Sequence, residues 1–347
     1  MLLLIEIEEA AWSTTLSRTI ERFKPAGLVF RRLVSPEATL EACRESARVL
    51  GAPPFTAIEE GGDGALTAFF AVLPPALTLE AAQAGKAGGL IGRAMTALGL
   101  NLNLAPTLDI AAPASCIFDT GATISAATEG VSPAEVARRA EAFVSALSSH
   151  HVLCCGRHFP GLPARKAVLP TTEAIVVDRS LAALWREELV PYRTLGDKLA
   201  AIEVSYAVHR AYDYEFLQPA SLSPGVIEGL LRTKLRYQGL AIADAPRAAQ
   251  AAGVELDEAV IRAQAAGCDL VVVPGEPNLL EGICQSVARA TDSGRLTHTR
   301  ITEAMSRVKV ARKSVRRSAR QLTPAQHRHM AADFEAFARK WTGSNYA

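Results

Sequence analysis

Short apolar runs alternate with longer segments of helical periodicity along most of the chain. The apolar runs are rich in Val, Ile, Leu and Ala and end at Gly, Pro or charged residues, which is typical of strands buried on both faces of a parallel sheet. The predicted strands are Leu2–Ile7, Gly27–Phe30, Phe55–Ile58, Leu102–Ala105, Val152–Arg157, Leu199–Ser205, Leu240–Asp244 and Asp269–Val273.

The segments between these runs predict helices, because their apolar residues recur at spacings of three and four. The predicted helices are Thr14–Lys24, Pro36–Leu50, Ala65–Leu98 with a break at Pro74-Pro75, one that begins near Pro133, Leu181–Leu195, Pro224–Leu235 and Leu279–Ala290. Each parallel crossover needs a covering helix, so the alternation predicts an α/β fold, a single (β/α)8 TIM barrel over about residues 1–295. Two further helices, Arg300–Lys313 and Pro324–Lys340, are expected outside the barrel, and residues 1–347 are interpreted as one domain.

Composition excludes few partners but points away from nucleic acids and membranes. The 347 residues are 49% apolar and 21% charged, with a formal net charge of +1, which suits one large core. The Lys- and Arg-rich run Arg307–Arg320 is interpreted as the solvated face of a helix. No uncharged apolar run could span a bilayer, and Met1–Ile5 lacks the basic start of a signal peptide. A cytoplasmic protein is therefore expected, and the oligomeric state is left open.

The six cysteines show no paired metal-ligand spacing, so neither a metal nor a cofactor is predicted. Cys154 and Cys155 are adjacent, and all six are interpreted as small buried hydrophobic residues. The longest irregular stretch, Pro106–Val131, is expected to be a lid or a site loop.

Chemistry is concentrated after the fifth predicted strand, in the hexapeptide Gly156-Arg157-His158-Phe159-Pro160-Gly161. Barrel sites form at the carboxyl ends of strands, which is where this segment lies. The hexapeptide resembles the K-H-F-P-G motif of glycoside hydrolase family 3, in the branch that includes bacterial β-N-acetylglucosaminidases. The resemblance implies that Arg157 and His158 bind sugar hydroxyls. An alternative is that they make structural ion pairs with Glu203 or Asp244.

The resemblance extends along most of the chain through segments in the family's order. Similar segments are Ala26–Arg32, Glu60-Gly61-Gly62, Asn103–Asp109 (compare N-F-A-P-V-L-D), Pro219–Ser223 and Ala241–Asp244. Asp244 falls on the family's nucleophile, so the resemblance implies that it attacks the anomeric carbon of an amino-sugar glycoside. A capping carboxylate at a helix terminus is the alternative interpretation of Asp244.

Several positions depart from the family's polar residues. Ile58 stands for a sugar-binding Asp, Asp63 for an Arg, Arg157 for Lys and Tyr206 for His, and Ala127 falls near a substrate-binding Arg. In the family, a loop after the hexapeptide supplies an acid/base His paired with an Asp. The corresponding segment here, Leu162–Val168, has only Arg165 and Lys166 as ionisable residues.

Other polar residues at predicted strand ends complete the set of candidates. Four further substrate-binding residues are expected at the barrel mouth with Arg157 and Asp244, namely Glu203, Tyr206, Glu60 and Asn103. Glu203 is interpreted either as an ion-pair partner of Arg157 or as a substitute acid. Glu59 also ends the third strand, and Glu173 is interpreted as an exposed loop charge. Two hypotheses follow: a retaining hexosaminidase-type hydrolase impaired by the missing acid/base dyad, or a non-catalytic barrel that binds or scaffolds.

Overall fold

Eight parallel strands close into a barrel in the computed structural model, which describes residues 1–110, 131–162, 167–168, 174–213, 215–315 and 323–345. The strands are β1 Leu3–Glu9, β2 Gly27–Arg32, β3 Phe55–Ile58, β4 Leu102–Asn103, β5 Leu153–Phe159, β6 Ala201–Val204, β7 Leu240–Asp244 and β8 Leu270–Pro274. Their order around the barrel is β1-β8-β7-β6-β5-β4-β3-β2, closing on β1. The predicted (β/α)8 barrel is thus confirmed.

Helices cover the outside of the barrel; most lie between its strands along the chain, and the others come after the last strand. They are α1 Thr14–Phe23, α2 Pro36–Leu50, α3 Ala81–Ala97, α4 Pro133–Ser149, α5 Leu181–Arg186, α6 Leu189–Leu195, a π-helix Gly225–Lys234, α7 Ala245–Ala252, α8 Leu256–Ala266, α9 Pro277–Asp292, α10 His298–Arg312 and α11 Pro324–Asn345.

Two predicted helices are wrong in part. The first half of Ala65–Leu98 forms only short 3₁₀ turns, Ala65–Ala68 and Ala76–Thr78, because Pro74-Pro75 cannot donate helical hydrogen bonds. The helix predicted over Leu181–Leu195 is two helices that meet at Glu187 and Glu188. Pro191 explains the break, since its ring excludes a helical bond to the carbonyl of Glu187.

A second, small sheet and two helices were not predicted. The sheet joins Ala167–Val168, Ile175–Val177 and Val208–His209, which follow β5 and β6. The helices are α7 and α8, between β7 and β8.

Alternate residues of the strands fill the barrel with apolar side chains. These inward residues form one buried cluster, which includes Leu4, Val29, Phe55, Ala57, Leu102, Leu104, Leu153, Cys155, Ala201, Leu240, Ile242, Leu270 and Val272. Val308 of α10 and Val315 belong to the same cluster, and the Arg312 guanidinium lies 5.6 Å from the Phe55 ring centroid. Helix α10 therefore packs against the amino-terminal end of the barrel.

A buried carboxylate attaches α10 to the barrel. Asp269 accepts hydrogen bonds from Arg232 at 2.6 Å, Arg300 at 2.6 Å and Arg307 at 3.0 Å, and also from the backbone N–H of Ala241. Asp269 is fully buried. Three guanidinium groups around one carboxylate hold the chain after β8 against the segment before β7.

Candidate active site

The carboxyl ends of the strands form a layer of charged side chains above the apolar interior. Six of the eight strands present an ionisable residue here, and β4 and β8 present Leu104 and Val272. The ionisable residues are Glu6, Arg31, Glu59, Arg157, Glu203 and Asp244. All eight line a cavity of about 660 Å³, a volume within the range of small-molecule sites. On each strand, the row of side chains that point into the barrel thus ends at the residue that lines the cavity.

Asp244 lies at the end of β7 and begins α7. Its Oδ1 accepts a hydrogen bond from the backbone N–H of Arg247 at 3.0 Å, and its Oδ2 lies 3.4 Å from Arg247 Nε. The side chain is 18% exposed. Burial raises the pKa of Asp244, and the negative charge of Glu203 raises it further, against Arg247 and Arg31. Asp244 is therefore both a helix cap and a carboxylate in the cavity, so the two interpretations of this residue are not exclusive.

Arg157 joins two carboxylates of the mouth. Its Nη2 donates to Glu59 Oε1, its Nη1 lies 3.7 Å from Glu203 Oε2, and its Nε donates to Thr107 Oγ1 at 3.4 Å. Burial opposes the positive charge, but Glu203 and Glu59 outweigh it and raise the pKa of Arg157 above its usual value. The structure thus contains the expected ion pair with Glu203, and it adds a partner, Glu59, that the sequence did not indicate.

His158 is held by a carboxylate from the loop after β4. Its Nδ1 lies 2.8 Å from Asp109 Oδ2, while Asp109 Oδ1 accepts the backbone N–H groups of His158 and Leu162. The Nε2 atom lies 3.8 Å from Glu203 Oε1. Three bonds from one carboxylate fix both the ring and the start of the next loop. Asp109 ends the family-like segment Asn103–Asp109, and the sequence pattern does not indicate its pairing with His158.

Glu60 and Asn103 do not line the cavity, which corrects their expected place at the mouth. The Glu60 carboxylate accepts the backbone N–H groups of Gly62, Gly64 and Leu66, and burial raises its pKa. The Asn103 side chain bonds both backbone groups of Glu60, at 3.0 and 2.9 Å. These side chains shape the loop after β3, and their polar atoms are used within the protein.

Residue 58 also faces away from the site. Ile58 is fully buried in the core outside the barrel, whereas its neighbour Glu59 lines the cavity. Ile58 therefore contributes no side chain to the cavity, whereas the next residue, Glu59, contributes a carboxylate. Asp63 also lines the cavity.

Tyr206 lies beside the site and supports Arg247. Its hydroxyl accepts from Arg247 Nη1 at 3.3 Å, the guanidinium lies 5.1 Å from its ring centroid, and the His158 ring centroid is 6.1 Å away. Tyr206 thereby helps to place Arg247 against Asp244. Ala127, Glu173 and residues 163–166 of the shortened loop lie outside the described residues.

Two kinds of feature are absent from the described part of the chain. No group of three or more His, Cys, Asp and Glu side chains there could hold a metal ion. Likewise, none of the helices described above is both long enough and apolar enough to cross a membrane.

Known proteins similar to this chain are glycoside hydrolases. Residues 36–311 match the sequence profile described as "Glycosyl hydrolase family 3 N terminal domain". A β-hexosaminidase of Idiomarina loihiensis is 25% identical over 263 residues, which are 71% of this chain and 74% of that protein. An uncharacterized secreted glycosyl hydrolase of Arthroderma benhamiae is 32% identical over 232 residues, 65% of this chain and 63% of that protein.

A solved structure shares the fold. It is a family 3 β-N-acetylglucosaminidase from Paenibacillus sp. str. FPU-7, which superposes with a TM-score of 0.82 at 24% identity. The superposition covers 97% of this chain and 66% of that chain, so this chain spans about two thirds of its length.

Proposed function

We propose that this chain, which belongs to glycosyl hydrolase family 3, hydrolyses amino-sugar glycosides by a retaining mechanism with Asp244 as its nucleophile. The observation that carries the proposal is the position of Asp244, a carboxylate that ends β7, lines the cavity and is oriented by Arg247. Residues 1–347 are proposed to form one domain, the barrel together with its carboxyl-terminal helices.

The proposed reaction has two steps. In the first, an oxygen of Asp244 forms a bond to the anomeric carbon, while the bond from that carbon to the glycosidic oxygen breaks and its electron pair leaves with the alcohol. In the second, the oxygen of a water molecule forms a bond to the anomeric carbon while the bond from that carbon to Asp244 breaks, which frees the sugar and the carboxylate, and the surplus proton of the water passes to solvent. Arg247 keeps Asp244 in place throughout, through the backbone bond to Oδ1 and the guanidinium near Oδ2.

The departing alcohol also needs a proton, and Glu203 is poorly placed to give it. Glu203 pairs with Ile242 in the register between β6 and β7, so it lies two residues below Asp244 on the adjacent strand. Its oxygens face Arg157 and His158. In retaining enzymes the acid stands about 5–5.5 Å from the nucleophile, across the scissile bond. Its place on the strand next to Asp244 and its contacts with Arg157 and His158 argue against Glu203 as that acid.

The loop after β5 lacks a donor in its sequence as well, since Arg165 and Lys166 are its only ionisable residues. Losing general acid assistance removes a factor of roughly 10²–10⁴ in rate. We therefore propose slow turnover, with activated aryl glycosides strongly preferred over natural disaccharides. A good leaving group departs without a proton, whereas a sugar alkoxide does not.

The test compares leaving groups and one substitution. Wild type is expected to cleave a dinitrophenyl N-acetyl-β-glucosaminide slowly and N,N′-diacetylchitobiose hardly at all. Asp244→Asn should remove the aryl activity, because an amide cannot form the glycosyl ester. Asp178→Asn is the matched control, since Asp178 is an exposed carboxylate paired with Arg210 away from the cavity.

Two results would count against this function in different ways. Undiminished aryl activity in Asp244→Asn would rule out Asp244 as the nucleophile. Rapid cleavage of the disaccharide would show that an acid exists, and would refute only the proposed impairment.

A second candidate is a barrel that binds carbohydrate without cleaving it. It is favoured by the internal pairing of the hexapeptide: Arg157 is bound by Glu59 and Glu203, and His158 by Asp109. Saturable binding of N-acetylglucosamine with no cleavage of any aryl glycoside would select this candidate.

The cellular location is proposed to be the cytoplasm. In support, the five described cysteines, Cys43, Cys154, Cys155, Cys268 and Cys284, are free thiols, as is usual in a reducing compartment. Detection of the protein in a culture supernatant or periplasmic fraction would refute this.

A further inference from the structure

A groove lies on the outside of the barrel, between α3 and α11. Its volume is about 510 Å³, which is within the range of small-molecule sites. None of the described residues that line this groove also lines the cavity at the barrel mouth. The groove is therefore a separate place at which a small molecule can bind.

The groove carries a net positive charge. Lys86 and Arg93 of α3 and Lys340 of α11 line it, and Asp333 of α11 is the one acidic residue among its described lining residues. Arg93 Nη2 donates to Asp333 Oδ2, so this pair is neutral. Lys86 and Lys340 are exposed, and neither forms an ion pair with a residue that the structure describes. Two positive charges in the groove are thus left uncompensated.

A helical glycine keeps the floor of the groove open. Two other glycines of α3 are explained by close packing: an added Cβ would lie 2.6 Å from the carbonyl oxygen of Phe143 at Gly88, and 3.1 Å from the His150 side chain at Gly92. Gly89 lines the groove, and a Cβ there would have no atom within 4 Å. Glycine inside a helix lowers stability relative to alanine. Packing does not account for Gly89, whereas an open floor for a ligand does.

The walls combine apolar side chains with a neutral histidine. Leu90 and the buried Phe337 line the groove together with His150. Burial lowers the pKa of His150, and the charges of Arg93 and His151 lower it further. The imidazole is therefore neutral at pH 7.5 and adds an N–H donor without adding charge. The groove thus offers apolar contacts and a neutral donor beside its two lysines.

We propose that this groove binds a small organic phosphate monoester. At neutral pH a phosphate monoester carries a charge of about −1.5 to −2, which matches the combined charge of Lys86 and Lys340. A carboxylate would compensate only one of them. The ammonium groups bind the phosphate oxygens through charge-assisted hydrogen bonds, and the organic part lies over Gly89 against Leu90 and Phe337. This site does not depend on the glycosidase reaction.

A ligand in this groove also fastens α11 to the barrel. The groove is lined from both α3 and α11, so a bound molecule contacts both helices. Helix α11 in turn supports the loop after β3, because the Phe334 ring stacks on Phe70 with 4.6 Å between the ring centroids. Unfolding separates the two helices and removes the site. Binding should therefore raise the melting temperature of the whole chain.

The experiment measures the binding of phenyl phosphate to the full chain by calorimetry. Wild type should bind it with a dissociation constant of about 1 mM or lower, and more tightly than inorganic phosphate or benzoate. Lys86→Gln combined with Lys340→Gln should raise the dissociation constant roughly tenfold or more, because two charge-assisted contacts are lost. Gly89→Phe should abolish binding at unchanged charge, since its ring fills the floor. Phenyl phosphate at about ten times its dissociation constant should raise the wild-type melting temperature by about 2 °C.

Two matched controls lie outside the groove. Lys234→Gln combined with Lys309→Gln removes two exposed lysines and so makes the same change in charge. Gly282→Phe adds the same ring to α9, at a glycine where a Cβ would likewise have no atom within 4 Å. Both controls should bind phenyl phosphate as wild type does. Melting curves without ligand confirm that each variant folds, as is expected for changes at open positions.

The outcomes decide both the ligand and the place. A loss confined to the groove variants, with wild-type binding in Asp244→Asn, supports the proposal. No saturable binding up to about 10 mM phenyl phosphate would overturn it. Equal dissociation constants for phenyl phosphate and inorganic phosphate would also overturn it, because the groove would then hold an ion only. Unchanged binding in both groove variants, or a loss in Asp244→Asn, would place the ligand elsewhere and refute the site.

Discussion

Arg157→Met should destabilise the barrel by removing the guanidinium that neutralises two mouth carboxylates. Methionine keeps much of the length of the buried stem, so the change isolates the charge. Glu203 would remain inside the barrel, with its side chain 11% exposed and its cationic partner gone. Removing one partner of a buried ion pair costs about 3–5 kcal/mol. Glu59 is half exposed, so its lost pair adds less than about 1 kcal/mol.

Urea denaturation at pH 7.5 gives the free energy of unfolding, and an unchanged slope would show that the two states stay comparable. The expected loss is a large part of the 5–15 kcal/mol that is typical of folded proteins. At about 2 °C per kcal/mol, it corresponds to a melting temperature roughly 6–10 °C lower.

Two further variants decide whether the unpaired charge is the cause. Arg157→Met combined with Glu203→Gln should recover more than half of the loss, because no buried charge is then left without a partner. Arg295→Met removes a guanidinium that is 54% exposed and paired with Glu258, and it should cost less than about 1 kcal/mol. A loss below about 1 kcal/mol in Arg157→Met, with no recovery in the double variant, would refute the reasoning.

Three more outcomes are expected. Asp244→Asn should raise the melting temperature at pH 7.5 but not near pH 4, and Asn can still cap α7. The reason is that the fold raises the pKa of the Asp244 carboxyl. The stability linked to its proton is therefore present below about pH 4 and is lost as the pH rises. His209→Leu should lessen the decline in stability between about pH 6.5 and pH 4. Burial lowers the pKa of His209 to about 4, so in this pH range only the unfolded chain binds the proton. Equal declines in urea titrations of wild type and His209→Leu would contradict this. Asp269→Asn should cost about 3–5 kcal/mol in the same assay, because three guanidinium groups lose their buried carboxylate, and a loss below 1 kcal/mol would show that backbone carbonyls suffice.

The barrel was predictable because each of its strands is a buried apolar run, which can be recognised from its own residues without knowledge of its neighbours in the fold. Helices α7 and α8 were missed for the opposite reason. Ala-rich segments such as Ala245–Ala252 show little contrast between their buried and exposed faces, so periodicity alone does not mark them. The break in Leu181–Leu195 could have been found from Pro191, whose ring is incompatible with a helical bond four residues earlier.

Some of the residues at the barrel mouth were predictable from the sequence. The error at β3, where Glu60 was expected in place of Glu59, has a geometric cause. Side chains on a strand alternate between the two faces, so inward residues are two apart. Phe55 and Ala57 point inward, which places Glu59 in the cavity and Glu60 outside it. Counting in steps of two from the apolar interior residues would have selected Glu59. The same count gives Arg157, Glu203 and Asp244 correctly.

The pairing of His158 with Asp109 could not be read from a local pattern. The two residues are 49 positions apart: His158 lies in β5, and Asp109 lies in the loop after β4. Adjacent barrel strands bring the segments together, and the loop after β4 places Asp109 opposite the ring. A sequence gives the residue types at both places, but only the closed barrel shows that they meet.

The electrostatics of the mouth distinguish Asp244 from the carboxylates that serve the fold. Glu59 and Glu203 share the guanidinium of Arg157, which compensates their charges within the barrel. Asp244 is paired with the partly exposed Arg247, and burial and the charge of Glu203 raise its pKa against the opposing charges of Arg247 and Arg31. Its ionised form is therefore held at a cost to the folded state. Positive charge that develops at an anomeric carbon would lower this cost, so it would be stabilised more than a neutral sugar is. Burial beside Glu203 thus makes Asp244 unfavourable for stability, and the same burial is what glycoside hydrolysis requires of a nucleophile. A residue that only capped α7 would not need to be buried beside a second carboxylate.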